Sequence, residues 1–86
     1  MDDKTVTIID SSGALSTCEP SFSAVKAALD GAFVTPISLS DGTLLVDEEG
    51  LMKRLPVNIS ASVLAGQALV GKVAFVPKRL LKKVLG

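Results

Sequence analysis

Apolar positions change period several times along the chain. In residues 4–9, Lys-Thr-Val-Thr-Ile-Ile, they alternate with period two, which puts Val6 and Ile8 on one side of a strand. Asp10-Ser11-Ser12-Gly13 interrupts as a turn, and Ala14 to Cys18 can return as a short second strand. The period then lengthens. Phe22, Val25 and Leu29 recur at helical spacing, Ser21 after Pro20 offers a capping hydroxyl, and Gly31 supplies a left-handed stop. Ala32 to Leu39 reads as a strand with Phe33, Thr35, Ile37 and Leu39 on one face, and Pro36, which has no amide donor, marks an edge or a bulge. Ser40-Asp41-Gly42 reads as a hairpin turn made through positive φ, with Thr43 to Val46 returning from it. After the turn Asp47-Glu48-Glu49-Gly50, Leu51, Met52 and Leu55 are expected to pack and Pro56 to block regular structure. Asn58 can cap a short helix from Ile59 to Ala65 that ends at Gly66, and Val70 to Val76 forms the last strand.

These elements predict an α+β fold. A small sheet of about five strands, mostly antiparallel, carries the helix Ser21 to Asp30 across one face, with short helices toward the C-terminus. Phe22, Val25, Leu29, Phe33, Ile37, Leu44, Val46, Leu64, Val73 and Phe75 are the expected core. The segment from residue 78 is amphipathic. With Leu80 at zero on a helical wheel, Val84, Leu81 and Leu85 fall at about 40, 100 and 140 degrees. Lys78, Arg79, Lys82 and Lys83 fill the other arc. Such a tail either docks on its own domain or serves as a partner-binding helix or a contact to an anionic surface.

Eighty-six residues with 48% hydrophobic side chains imply one compact domain, residues 1–86, with more apolar surface than so small a core can hide. That excess, and the two edges of a small open sheet, point to a homodimer or another protein partner. No apolar run approaches the roughly 20 residues of a membrane span. Met1-Asp2-Asp3 does not open a secretory signal, and Cys18 is the single cysteine, so a reducing cytoplasmic setting is expected.

Charge is uneven along the sequence. All nine acids lie by residue 49, accompanied only by Lys4 and Lys26, and the remaining seven basic residues follow with no acid among them. Catalytic equipment is thin. There is no histidine for neutral-pH proton transfer, and neither metal nor cofactor is expected. Gly66-Gln67-Ala68-Leu69-Val70-Gly71-Lys72-Val73 matches a phosphate-binding loop up to its last position. There Val73 replaces the hydroxyl residue, and the expected order is helix before and strand after, the reverse of a phosphate loop. Asp47, Glu48 and Glu49 are consecutive, not alternating as calcium ligands are, and read as a solvated turn. Nucleic acid is a poor partner, because no aromatic platform accompanies the basic residues and the acids repel phosphate.

From Asp41 onward the chain resembles a family of small proteins of unknown function found in bacteriophages and mobile elements. The resemblance covers about residues 28–76 and rests on Asp41-Gly42, Val46-Asp47-Glu48-Glu49-Gly50, Leu55-Pro56-Val57-Asn58, Ala61, Leu64-Ala65 and Val70-Gly71-Lys72-Val73. It implies a non-enzymatic protein that binds and inhibits a host protein or complex, in the manner of anti-defence or anti-CRISPR proteins. The partner-binding candidates are Asp41, Asp47, Glu48 and Glu49 in the hairpin region and Lys78, Arg79, Lys82 and Lys83 in the tail. The alternative expectation is a protein that sequesters a small signalling ligand or nucleotide, with Lys53, Arg54 and Lys72 as ligand contacts.

Overall fold

The computed structural model describes residues 3–86. The α+β expectation holds. Five antiparallel strands form one sheet in the order β2-β1-β5-β4-β3. They are β1 (Val6–Ile9), β2 (Leu15–Cys18), β3 (Val34–Ser38), β4 (Gly42–Asp47) and β5 (Val73–Pro77). The helices are α1 (Phe22–Ala28), α2 (Ile59–Ala65) and α3 (Leu81–Leu85), the last preceded by a 3₁₀ turn, Lys78–Leu80. No helix is long and apolar enough among the described residues to cross a membrane.

Both faces of the sheet are covered. On one face Val6, Ile8, Leu45, Ala74 and Val76 pack against Val25 and Leu29 of α1 and against Leu80 and Val84 of the tail. On the other, Leu44, Val46, Val73 and Phe75 pack under Ala61 of α2 and Leu69. The tail therefore docks on its own domain, with Lys78, Arg79, Lys82 and Lys83 exposed. Residues 44–46 of β4 and 73–76 of β5 read as unbroken apolar runs because each of these residues meets a core on one face or the other.

The caps form where the residue types place them. Ser21 accepts from the Ala24 amide, Asn58 accepts from the Ala61 amide, and α2 stops at Gly66 in the left-handed region at φ 69°. Asn58 does far more than cap. It is fully buried, and its side-chain amide donates to the carbonyl of Ile9 in β1 at 2.9 Å and to that of Gly71 at 2.8 Å. Its backbone amide donates to Leu69. One side chain thus ties α2 to both the first strand and the entry to the last.

Several expected core residues lie elsewhere. Phe22, Phe33 and Leu64 are exposed and Ile37 is half-buried. Phe33 precedes the paired part of β3, 63% exposed, and its ring lies under the Lys26 ammonium at 4.8 Å. In α2 the inward side is built from Ala61 and Ala65, small enough to let the helix lie close to the sheet, and this turns Leu64 toward the margin. Leu51 and Met52, expected to pack, are exposed. The β3–β4 hairpin closes through Leu39 and Gly42 without positive φ at Ser40, Asp41 or Gly42. Gly42 is required for another reason: a Cβ there would collide with the Val76 carbonyl oxygen and the Phe75 ring.

Replacing Asn58 by Ala removes a cap and leaves two buried carbonyls without their donor, so unfolding free energy should fall by about 3 kcal/mol or more in urea titration. Asn58→Asp, which keeps the capping oxygen but loses both donations and buries a charge, should do no better. Near-native stability of Asn58→Asp would reduce this residue to a simple cap. In the tail, Leu80→Ala should cost about 2–5 kcal/mol, and Leu85→Ala, at an exposed position, no more than about 0.5 kcal/mol.

Candidate functional site

The acidic candidates do not form one surface. Asp41 lies beside the start of β4, where its carbonyl accepts the Lys78 amide at 3.1 Å, so this end of the hairpin abuts the tail. Asp47, Glu48 and Glu49 lie at the far end of β4, Asp47 six residue steps or about 20 Å from Asp41. Asp47 is turned inward, its side chain 7% exposed, and both oxygens are engaged: Oδ1 accepts the Glu49 amide at 2.8 Å and Oδ2 the Lys53 ammonium at 2.9 Å. Burial on its own would raise the Asp47 carboxyl, but the bonds from Lys53 and the Glu49 amide outweigh it and hold the group below its ordinary 3.8. The same contact raises Lys53 above its ordinary value. The carboxylate organises its turn and has no free oxygen for a cation. Among the described residues no group of three or more His, Cys, Asp or Glu is placed to hold a metal.

Lys53, Arg54 and Lys72 are not brought together as a phosphate cradle. Lys53 is held by Asp47, and Lys72 lies 3.3 Å from Asp30. Arg54 sits in the left-handed region at φ 56° in the turn that follows. Lys72 leads directly into β5, with α2 and Gly66 before it, so the Gly66–Lys72 segment has the reversed order that commits Val73 onward to the sheet. Ion pairing also folds the charge asymmetry back on itself, because Lys53–Asp47, Lys72–Asp30 and Arg79–Asp3 each join a base of the second half to an acid of the first. Cys18 is half-buried against the core of the α1 face, and burial, then Glu19, push its thiol above 9.0.

Sequence reasoning missed the α2 layer. Ala61 and Ala65 point to the sheet, so Ile59 and Val63, one helical turn apart, face directly outward, 71% and 76% exposed. Val57 is exposed immediately before them, and Leu51 and Met52 are each 82% exposed in the preceding turn. These segments belong to one layer. Asn58 bonds Leu69, Pro56 accepts the Gly71 amide, and Leu51, Leu69 and Val70 line a groove of about 150 Å³ together with Thr35, Val46, Asp47 and Glu48. The signal was present in the sequence: Ile59 and Val63 lie on the side of a seven-residue helix opposite Ala61 and Ala65, so α2 is apolar on two sides, with only Ser60 and Ser62 polar between them. Comparison with protein-family models, with curated proteins and with solved structures returned no match.

The Asp47–Lys53 pair sets a pH dependence. A carboxyl held below its ordinary 3.8 contributes stability that is complete by about pH 5 and is lost as pH falls through the lowered value. Asp10, lowered mainly by the Ser12 hydroxyl, works in the same direction. The urea midpoint of the wild type should therefore drop between pH 5 and 2, by less in Asp47→Asn. Equal drops would remove Asp47 from the account.

Proposed function

We propose that the protein is a non-enzymatic interaction domain that binds a host protein or complex and blocks it by occupying its surface. The observation that carries this reading is the outward apolar side of the α2 layer, Ile59, Val63, Leu51 and Met52, on a chain whose two cores are already closed beneath it. Leaving four large aliphatic side chains in water is unfavourable, and a partner that covers them gains about 25 cal/mol for each Å² of apolar area removed from water. The charged residues around the layer, Glu48, Glu49 and Arg54, would form a polar rim that sets orientation and encounter rate. A bacteriophage or mobile-element origin, a cytoplasmic setting and an anti-defence role, including one of anti-CRISPR type, follow from the resemblance over residues 28–76 and the single cysteine. A second copy of the chain belongs among the partners.

Exposed Ile59 and Val63 can be altered without opening a core, so Ile59→Asp with Val63→Asp should change unfolding free energy by no more than about 0.5 kcal/mol per site. Binding to a partner recovered from host lysate and purified should weaken at least tenfold by calorimetry, about 1.4 kcal/mol. Unchanged affinity in the double variant would move the docking surface elsewhere. Thermal stabilisation of the wild type by one member of a nucleotide panel, with no protein partner retained, would favour the ligand-sequestering alternative, and Lys53→Ala, Arg54→Ala and Lys72→Ala would then be the variants to compare.

A further inference from the structure

The two edges of the sheet, β2 and β3, differ in one respect that decides what each can do. In β3, the Leu39 amide donates to Gly42 and the Glu48 amide to the Phe33 carbonyl, so residues 33, 35, 37 and 39 bond inward to β4. Val34, Pro36 and Ser38 consequently direct their backbone groups outward, and Pro36 removes the middle donor. A strand added there would lack its central bond. In β2 the corresponding parity is set by the Asp10 amide, which donates to the Ala14 carbonyl across a bulge at Gly13, φ 91°. Ala14, Ser16 and Cys18 bond inward to β1, and Leu15 and Thr17 direct both backbone groups outward. Among the described residues no hydrogen bond engages either outward amide, and Leu15, Ser16 and Thr17 are all exposed. Neither proline nor a charged side chain guards residues 11–18.

We infer that β2 is a self-association edge, and that its occupant is β2 of a second copy, paired antiparallel about a two-fold axis through Ser16. In that register Leu15 faces Thr17 of the other copy and Thr17 faces its Leu15. Each pair exchanges two backbone bonds, using every outward group of both strands. The uncharged segment lets two identical edges meet without like-charge repulsion. Pro36 at the opposite edge prevents a β2-to-β3 head-to-tail contact, so association closes at a dimer. The axis is perpendicular to a continuous sheet of two copies, which leaves both α2 layers on the same side and free. The inference is independent of what α2 binds, because its readout is mass and not partner capture.

Sedimentation equilibrium from about 1 to 300 µM tests it. The wild type should move from the 8.9 kDa chain mass toward twice that value. Leu15→Lys with Thr17→Lys, which sets lysine against lysine in both pairs, should remain monomeric with an unchanged circular dichroism spectrum. Leu15→Lys with Thr17→Glu sets lysine against glutamate and should dimerise again. Thr17→Pro, which removes an outward donor and leaves the β1 ladder intact, should also be monomeric. A wild type that stays monomeric throughout overturns the inference, as does a dimer that survives the double lysine variant or an assembly that grows past two.

Discussion

A buried asparagine holds the two halves of this protein together. Asn58 has no exposure, yet its side-chain oxygen, both of its amide hydrogens and its backbone amide are all directed at named partners in α2, β1 and the segment entering β5. A buried amide is tolerated only when it is satisfied, and each of its partners is itself a backbone group. The bonds to Ile9 and Gly71 span 49 and 13 residues of sequence, so they define the position of α2 relative to the sheet in a way that apolar contact, which has no direction, does not. The alanines beneath α2 depend on the same placement, because small side chains reach the sheet only if the helix sits close to it.

The sheet is covered on both faces by elements too short to bury all they carry. α1 and α2 have seven residues each and α3 five. A helix of this length gains its stability from packing and caps, not from its own hydrogen bonds. Each presents one side to the sheet. The surplus of aliphatic side chains is left on the other side of α2 and in the turn before it, and not in the loops of the α1 face. A domain with a spare apolar side on one layer and basic residues on the other is polarised, although three ion pairs across the sequence halves weaken the charge asymmetry that the primary structure suggests.

Local signals were readable from the residues alone: the Ser21 and Asn58 caps, the Gly66 stop, both hairpins and the apolar stripe of the tail. Each depends on chemistry within about four residues. Face assignment failed where it depended on distant neighbours. Phe22 and Phe33 carry large apolar rings, but on the α1 face β1, β4 and β5 fill the core with aliphatic residues and leave no place for them. Gly42 was read as a turn residue, when the constraint comes from Phe75 and Val76 on a strand more than thirty residues later. The α2 surface was hidden by the habit of assigning a helix one apolar side. The Asp47–Lys53 contact, six residues apart, required a turn geometry that composition does not specify.

The strand order has a consequence for how the chain reaches this state. β1–β2 and β3–β4 are local hairpins complete before residue 48, but they share no ladder; only β5, which begins at Val73, lies between them. Until it arrives, β1 and β4 are two bare inner edges flanked by aliphatic side chains, and the pieces have no common architecture. Assembly is therefore a zipper closed by its middle tooth. The slow, long-range step is the insertion of β5, which completes two ladders at once, and the nascent hairpins awaiting it are the species most exposed to mispairing with other chains.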